Sequence, residues 1–346
     1  MGKNKKVTIY DLAEALNISA GTVNRALHNK PRISAETRQR VLDMAVKMNF
    51  SVSHAAQSLG RNPIRIGCIL CCPVPQYLNE VKRGMEAAFA ELLEFNVLSD
   101  IHVLEGSNSE QYFSDINEII SGFITQKYNA VVLFLSGDNS RFRPMIAQLK
   151  AGGIATATVT NDVRDSERAI SVTVDGRCAG KLAAELLHLC CPNGSVAILT
   201  GNRLTEIHRD NIDGFLSYSQ KHPFKAVDIY EHNDQLYMVG QKVEEVIADN
   251  RDISGIYSTS ASSALVCRHI ERLGYAGKIK IITTDLFEET RELLQQEIIC
   301  ATIFQDPYRQ GKDVVKRIYR YLFDKTGEGQ FLISPQAVFS SNMFSI

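Results

Sequence analysis

From residue 64 onward the chain alternates between short apolar runs and longer amphipathic stretches, and this alternation restricts the fold more than any other feature. Continuous apolar runs are typical of strands buried on both faces of a parallel sheet, where a helix connects each strand to the next. The helical stretches cover residues 81–93, 116–126, 181–189 and 241–248. The apolar runs are IRIGCIL, AVVLFLS, IATATVT, SVAILT, SGIYSTS, IKIITTD and ATIFQD.

These βαβ units form two sets, at about residues 64–165 and 166–300, after which the chain returns. We therefore expect an α/β body of two doubly wound parallel sheets, with a cleft between two lobes. The body has no GxxxxGK[ST] loop, no GxGxxG after the first strand and no nucleophile elbow. His208 has no obvious nucleophile or metal partner in the sequence. We expect no catalysis, no metal and no cofactor.

Residues 1–61 follow a different pattern, that of an all-α head with three short helices. Thr8 begins the first helix with a capping box. Asn17 supplies a left-handed residue for a tight turn, and Ser19 caps the second helix. Ser34 caps the third helix. Three helices with a tight turn between the first two predict a helix-turn-helix unit, and a generic small helical bundle is the alternative.

The charges are distributed unevenly between the head and the body. The whole chain carries a net charge of −1, but residues 1–61 contain ten Lys and Arg against four Asp and Glu. The head therefore carries +6 and the remainder −7, which predicts an anionic partner for the head, with nucleic acid as the first choice. No segment approaches 18 apolar residues, no secretory h-region is present, and the eight cysteines form no CxxC pair. We expect a cytoplasmic protein without a membrane partner.

The stretch VTIYDLAEALNISAGTVNRALHNKPRISAETRQRVLDMAVKMNF resembles the DNA-binding head of the LacI family of bacterial regulators. The shared features are the VTI.D.A opening, a Ser-x-x-Thr-Val-x-Arg second helix, an Ile-Ser-x-x-Thr-Arg-x-Arg-Val third helix and an aromatic at Phe50. The resemblance implies that Ala20, Gly21 and Arg25 face base edges, since arginine can bind guanine through O6 and N7. Hydroxyl groups are expected mainly at phosphates. The implied DNA-contacting residues of the head are Thr8, Ser19, Ala20, Gly21, Thr22, Asn24, Arg25 and Ser34.

The following segment, SVSHAAQSLGRNP, is similar to the hinge of the same family. In that family the hinge forms a short helix where two subunits meet over the centre of the operator. The resemblance implies that Ala56, Gln57 and Leu59 line the minor-groove face, with Leu59 as an apolar wedge that kinks the DNA. A flexible linker is the alternative for this segment.

The body resembles the periplasmic-binding-protein-like core of that family, closest to its ribose-binding-protein-like branch. The resemblance implies a sugar-like effector in the cleft, because amide, carboxylate and guanidinium groups beside an aromatic ring suit a polyhydroxylated ligand. Asn211 stands where the family usually has arginine, and Arg209 is expected to substitute for it. For each polar residue the alternative is a strand-end cap or a solvated loop. The implied effector-binding residues are Tyr77, Asn161, Asp162, His208, Arg209, Asn211, Ser260, Asp285 and Gln305.

These inferences predict a DNA-binding transcriptional regulator, expected to be a repressor, which binds a palindromic operator as a homodimer and responds to a small polar effector. A solute-binding protein or a sugar-acting enzyme with the same lobes is the alternative. The expected divisions are a helix-turn-helix domain at 1–50, a hinge at 51–62, and an effector-binding and dimerisation domain at 63–346, with lobe 1 at 63–165 plus 306–330 and lobe 2 at 166–305 plus 331–346.

Overall fold

A computed structural model describes residues 7–27, 32–48, 62–105, 109–260, 262–324 and 327–346. The chain divides into two compact units, one formed by residues 1–62 with 94–96 and the other by the remaining residues. Within the described residues, no helix is both long enough and apolar enough to cross a membrane. The predicted hinge at 51–62 lies outside the described residues, apart from its last position.

The head contains the three predicted helices, α1 (Ile9–Leu16), α2 (Ala20–Leu27) and α3 (Ala35–Lys47). The capping box at the start of α1 is present, since the Thr8 hydroxyl and the Asp11 carboxylate each accept a hydrogen bond from the other residue's backbone amide. Asn17 ends α1 in the left-handed region, with φ of 52°. This short turn brings α2 against α1, and the apolar faces of all three helices share one core around Leu12, Val23 and Val41. The helix-turn-helix prediction is confirmed.

Twelve strands and nine further helices alternate along the described part of the body, together with two short 3₁₀ segments at Leu93–Phe95 and Asn139–Phe142. All seven predicted strands are present. In chain order the elements are β1 (Ile64–Leu70), α4 (Pro75–Leu92), β2 (Val97–Val103), α5 (Glu110–Thr125), β3 (Ala130–Phe134), α6 (Arg143–Ala151), β4 (Ala155–Val159), β5 (Ile170–Val174), α7 (Gly176–Cys190), β6 (Ser195–Thr200), α8 (Glu206–Ser219), β7 (Ala226–Glu231), α9 (Leu236–Asp249), β8 (Ile253–Ser258), α10 (Ser263–Arg272), β9 (Lys280–Thr284), α11 (Glu288–Gln295), β10 (Ala301–Phe304), α12 (Pro307–Asp324), β11 (Gly329–Ile333) and β12 (Gln336–Val338).

The strands form two six-stranded sheets, one in each lobe. The order in lobe 1 is β11-β5-β4-β3-β1-β2, and the order in lobe 2 is β12-β10-β9-β8-β6-β7. Every pairing is parallel except that of β12 with β10, which is antiparallel. Each sheet has helices and buried apolar side chains on its faces, as a doubly wound sheet requires. The predicted two-lobed α/β fold is therefore present.

The chain crosses between the lobes three times, and two of these crossings differ from the predicted boundaries. Strand β5 belongs to the lobe 1 sheet, so the first crossing follows residue 174 and not residue 165. Strand β11 also belongs to lobe 1, which moves the third crossing from residue 330 to 334–335. Both strands pair parallel with each other, and this pairing holds them on the lobe 1 sheet. The second crossing lies between β10 and α12.

Helices α7 and α8 in lobe 2 approach closely because two glycines face the neighbouring backbone. A methyl group on Gly180 would overlap the carbonyl oxygen of Asn211, and one on Gly214 would overlap that of Arg177. Gly214 and the residue after it thus have a packing role, since Phe215 is fully buried and stacks on Phe224 and Tyr257. This close contact fixes α7 against α8.

Candidate nucleic-acid interface and ligand cleft

Helix α2 of the head has one buried face and one exposed polar face. Val23 and Ala26 are buried in the head core, whereas Ser19, Gly21 and Arg25 are exposed. Gly21 and Arg25 are four residues apart and so share one side of α2, and a Cβ on Gly21 would lie 3.7 Å from the Ser19 hydroxyl, so the three residues lie together on a side that a DNA groove can reach. Ala20, predicted to meet a base edge, is only half-exposed and packs against the head core.

A short chain of hydrogen bonds holds the polar side chains of α2 in place. The Ser19 hydroxyl accepts a hydrogen bond from the Thr22 amide at 3.1 Å and lies 2.8 Å from the Thr22 hydroxyl. The Arg25 guanidinium donates to that same hydroxyl at 3.3 Å. Arg25 is thus oriented along the exposed face while its remaining N–H groups stay available to an acceptor. Asn24 is half-buried on the same helix.

The other predicted DNA contacts of the head have local structural roles as well. The Ser34 hydroxyl caps α3 by accepting a hydrogen bond from the Thr37 amide at 3.1 Å, and Thr8 caps α1. A helix N-terminus also presents free N–H groups to an anion, so a capping role is compatible with a nearby phosphate. Ala56, Gln57 and Leu59 lie outside the described residues, so their assignment stays a prediction.

In the body, a continuous hydrogen-bond network joins the two lobes at the carboxyl ends of the strands. The Gln305 side-chain amide donates to the Asp285 carboxylate at 3.1 Å. The Gln310 side-chain amide donates both to the Gln305 carbonyl, at 2.8 Å, and to the Tyr77 hydroxyl, at 2.9 Å. Thr160, at the end of β4, donates to the Gln310 side-chain oxygen at 3.1 Å. This is the edge at which open α/β sheets bind ligands.

Two residues of this network adopt the left-handed backbone region, where a side chain is strained. Thr160 has φ of 66° and Asp285 has φ of 72°, each directly after a strand of its sheet. For a β-branched residue such as Thr160 this conformation is a genuine outlier. Strain of this kind concentrates at binding and catalytic sites, and the two residues lie in opposite lobes. The backbone geometry therefore marks the same edge as the hydrogen bonds do.

The buried groups of this edge influence one another electrostatically. Burial raises the pKa of the Asp285 carboxyl to about 7. Burial, followed by the charge of Asp285, raises the pKa of Tyr77 well above its ordinary value. Burial also raises the pKa of the Cys72 thiol to about 12, with smaller contributions from Asp234 and Asp285. Cys72 follows β1 of lobe 1, whereas Asp234 and Asp285 follow strands of lobe 2.

Lobe 2 contributes a second polar cluster, centred on His208 and Asp234. The His208 Nδ1 atom lies 3.0 Å from the Thr259 hydroxyl, and its Nε2 atom lies 3.2 Å from the Asp234 carboxylate. Burial raises the pKa of Asp234, but His208 and the Asn202 amide together outweigh burial and lower it to about 2. Asp234 is therefore ionised at neutral pH. Its carboxylate and the His208 ring form one paired unit.

His232 and Ser260 extend this cluster. The His232 Nε2 atom lies 3.1 Å from the Ser260 hydroxyl, and that hydroxyl lies 2.9 Å from the Ser262 hydroxyl. Burial lowers the pKa of His232 to about 4, so the ring is neutral at pH 7. Its Nδ1 atom is buried and has no hydrogen-bond partner. The structure therefore brings the predicted residues His208 and Ser260 together through partners that the sequence did not identify.

The structure places the other predicted cleft residues in different surroundings. Asp162 is buried and paired with Arg168, which holds its pKa below the ordinary value despite burial, so its carboxylate already has a cationic partner. Asn161 is buried and donates to the Leu135 carbonyl at 3.0 Å, while its side-chain oxygen has no partner. Asn211 is also buried with an unpartnered side-chain oxygen. Arg209, expected to replace the missing arginine, is exposed.

Comparison with known proteins matches both parts of the chain. A family described as "Bacterial regulatory proteins, lacI family" matches residues 8–53, and one described as "Periplasmic binding protein domain" matches residues 67–326. The chain is 21% identical to the HTH-type transcriptional regulator pepR1 of Lactobacillus delbrueckii subsp. lactis, over 95% of each chain. It is 20% identical to catabolite control protein A of Priestia megaterium, covering 96% of this chain and 97% of that protein.

Solved structures of solute-binding proteins have the same fold as the body. A solute-binding protein from Burkholderia graminis, in complex with D-arabinose, matches with a TM-score of 0.73 and 20% identity, over 82% of this chain and 97% of that one. GanP, a glucose-galactose binding protein from Geobacillus stearothermophilus, matches with a TM-score of 0.72 and 22% identity, over 82% of this chain and 99% of that one. At these identities the likeness shows the fold alone.

Proposed function

Because this chain belongs to the lacI family of bacterial regulatory proteins, we propose that it is a transcriptional repressor controlled by a sugar-like effector bound between its two lobes. The observation that carries the proposal is the combination of two parts in one chain. The head exposes Arg25 and Ser19 on one side of α2, and the body holds buried polar groups from both lobes at the carboxyl ends of its strands.

The head supplies both kinds of contact that a DNA-binding unit needs. Its excess of basic residues attracts the phosphate backbone irrespective of sequence, which supports affinity. Arg25 on the exposed face of α2 supplies a donor pair that matches guanine in the major groove, which supports specificity. Gly21 and Ala20 offer little hydrogen-bonded readout. The specificity is therefore expected to depend on Arg25, on Asn24, and on bending of the DNA at Leu59.

The body supplies the control. Effector binding at the interface of the lobes changes their relative angle, and in a homodimer on a palindromic operator this changes the spacing of two heads. The factor by which the effector changes the DNA affinity equals the ratio of the effector affinities of the DNA-bound and the DNA-free protein. The protein works in the cytoplasm as a binding protein without an enzymatic activity.

Gel-shift assays test the DNA-binding part of this proposal. Full-length protein would be mixed with duplex DNA selected from a random library, at several salt concentrations. We expect affinity to fall by about 10³-fold or more between 50 and 200 mM salt if the protein makes several phosphate contacts. Arg25→Ala should weaken specific binding at least tenfold, whereas Arg251→Ala, at an exposed position of the body, should leave it unchanged. If the protein retains no DNA even at low salt, the proposed function as a DNA-binding regulator is refuted.

The same assay with sugars tests the coupling and separates the two function classes. A solute-binding protein of this fold would bind sugar and ignore DNA. A regulator should bind both, and at least one sugar that binds should change the operator affinity. If every sugar that binds the full-length protein leaves the operator affinity unchanged, the proposed control is wrong even though the DNA binding stands.

A further inference from the structure

A second connection between the lobes is an ion-pair network centred on Arg164. This residue lies in the loop between β4 and β5 of lobe 1, and its guanidinium pairs with two carboxylates of helix α8 in lobe 2. The Nε atom contacts Glu206, and the Nη2 atom donates a hydrogen bond to Asp210 at 2.9 Å. The two acidic residues are one helical turn apart, so a single side chain of lobe 1 binds both. We define Arg164, Glu206 and Asp210 as the inter-lobe clasp.

Both carboxylates of the clasp are held in place within lobe 2. The Glu206 side chain is 7% exposed and the Asp210 side chain 16% exposed, so little water competes with Arg164 for either of them. Arg177, at the start of α7, contacts Asp210 at 3.4 Å and Asp213 at 2.7 Å. A carboxylate that is shielded from water and fixed by a neighbour pairs more strongly than a mobile surface group does.

The loop that carries Arg164 is anchored to lobe 1 on both sides of this residue. Val163 is buried in the lobe 1 core, and its amide donates to the Asp162 carboxylate at 2.8 Å. Arg143, at the start of α6, donates to the carbonyl oxygen of Arg164 at 3.1 Å and contacts the Asp165 carboxylate at 3.6 Å. The guanidinium therefore extends from a fixed backbone, which reduces the entropy lost when the clasp forms.

Arg164 is the member of this network that joins the lobes. Arg209 also favours the ionised form of Glu206, with a smaller effect than Arg164, but Arg209 belongs to α8 itself and is exposed. Arg177 and both of its partners belong to lobe 2. Removal of the Arg164 guanidinium would leave Glu206 with less compensation for its burial, and separation of the lobes would then relieve it by admitting water.

We propose that the inter-lobe clasp holds the two lobes together before any effector binds, so that Arg164 sets how often the cleft opens. The inference goes beyond the proposed function, because it concerns the lobes themselves and requires neither sugar nor DNA. For an effector that binds the closed cleft, the clasp reduces the free-energy cost of closure, since the competent arrangement is already populated.

The thiol of Cys72 reports on opening of the cleft. Cys72 follows β1 of lobe 1, and the lobe 2 carboxylates Asp234 and Asp285 contribute to its raised pKa. Opening moves those carboxylates away and admits solvent, so the thiol should react faster with N-ethylmaleimide, because the thiolate is the reactive species. Full-length protein without sugar or DNA would be labelled at pH 7.5, and fragment mass spectra of its peptides would give the rate at each cysteine.

Three arginine variants separate the clasp from ion pairs within one lobe. We expect Arg164→Ala to accelerate labelling of Cys72 by about fivefold, through the larger open population that loss of a partly buried ion pair produces. Arg177→Ala is the matched control, because Arg177 also pairs with Asp210 and its side chain is 55% exposed against 50% for Arg164, yet all its pairs lie within lobe 2. It should change the rate by less than about twofold. Arg164→Lys should give an intermediate rate, since an ammonium lacks the fork of donors that reaches both carboxylates.

Two further cysteines exclude other causes of faster labelling. Cys68 is fully buried in β1, so its rate rises only if the lobe 1 sheet unfolds, and Cys190 is exposed at the end of α7, so its rate should be the same in every variant. The inference is overturned if Arg164→Ala labels Cys72 at the wild-type rate, if Arg177→Ala accelerates that labelling as much, or if Cys68 accelerates together with Cys72. These outcomes leave the DNA and sugar assays of the proposed function unaffected.

Discussion

Replacing Asp285 with asparagine should stabilise the ligand-free protein, and the gain should depend on pH. Burial raises the pKa of Asp285 from its ordinary value of 3.8 to about 7 in the folded protein. Each pH unit of such a difference corresponds to about 1.36 kcal/mol, so a gap of about three units gives an upper value of about 4 kcal/mol. Because a buried site relaxes and admits water when its carboxylate ionises, we expect a measured gain of about 2 kcal/mol at pH 8.

The sign of the pH dependence follows from where the proton is held. Below pH 4, Asp285 is protonated in both the folded and the unfolded chain, so it does not make stability depend on pH. Between pH 4 and 7 the folded protein holds a proton that the unfolded chain has released, and the wild-type stability falls as pH rises. Above pH 7 the carboxylate is ionised in both states and the penalty is complete. Asparagine has no such transition, so its advantage grows from near zero at pH 4 to its full value at pH 8.

Urea unfolding of both proteins at pH 4.5, 6, 7 and 8, followed by circular dichroism, measures this difference. Glu118→Gln is the matched control, because the Glu118 side chain is exposed and its neutralisation should change stability by less than 0.5 kcal/mol, a typical limit for surface sites. A stability difference between wild type and Asp285→Asn that is the same at all four pH values contradicts the assignment of a buried, uncompensated carboxylate. So does a variant that is less stable at pH 8 than at pH 4.5, relative to wild type.

Three further predictions concern packing, the head and an ion pair in the body. Gly180→Ala should lower the free energy of unfolding by about 2–4 kcal/mol, because the new methyl group meets a neighbouring backbone carbonyl. Gly122→Ala is the control, because Gly122 has open space around it and the substitution should not lower that free energy. Urea unfolding compares the two variants. Asn17→Gly should keep the head folded, whereas Asn17→Val should destabilise the head by about 1–2 kcal/mol. The reason is that only the β-branched residue resists a φ of 52°. The melting temperature of the head measures this difference. Arg164→Ala should destabilise the protein by about 1–2 kcal/mol at pH 8 and by less at pH 5.5. The reason is that burial raises the pKa of its partner Glu206 to about 7, so Glu206 is protonated at the lower pH. A destabilisation that does not shrink at pH 5.5 would contradict this pairing.

The elements that sequence patterns revealed are those whose burial is uniform. The runs that became β1, β3 and β6 are buried along most of their length, so each appears as a continuous apolar run. Strands β2 and β7 lie at the edges of their sheets and are half-buried or exposed at most positions, which removes that signal. Strand β5 (Ile170–Val174) was not among the predicted strands, and missing it displaced the predicted lobe boundary.

The site was predictable where a polar residue directly follows a recognised strand. Asp285 and Gln305 follow β9 and β10, and the structure joins them by a hydrogen bond. Asp234 follows the unrecognised edge strand β7, and Gln310 lies on a helix, so neither carried a sequence signal. The pairing of Asp162 with Arg168 depends on the loop conformation between β4 and β5, which residue spacing does not define. Positions at strand ends can thus be predicted, but the partners that each position finds cannot.

The three crossings between the lobes affect how the protein is made. During synthesis the lobe 1 sheet has five of its six strands once residue 174 has emerged, yet β11 and the covering helix α12 follow only after nearly all of lobe 2. The lobe 2 sheet is completed later still, by β12. Neither lobe is a continuous piece of chain, whereas the head is complete after its first few dozen residues. A chain terminated before residue 329 therefore contains the three helices of the head without either finished sheet of the body.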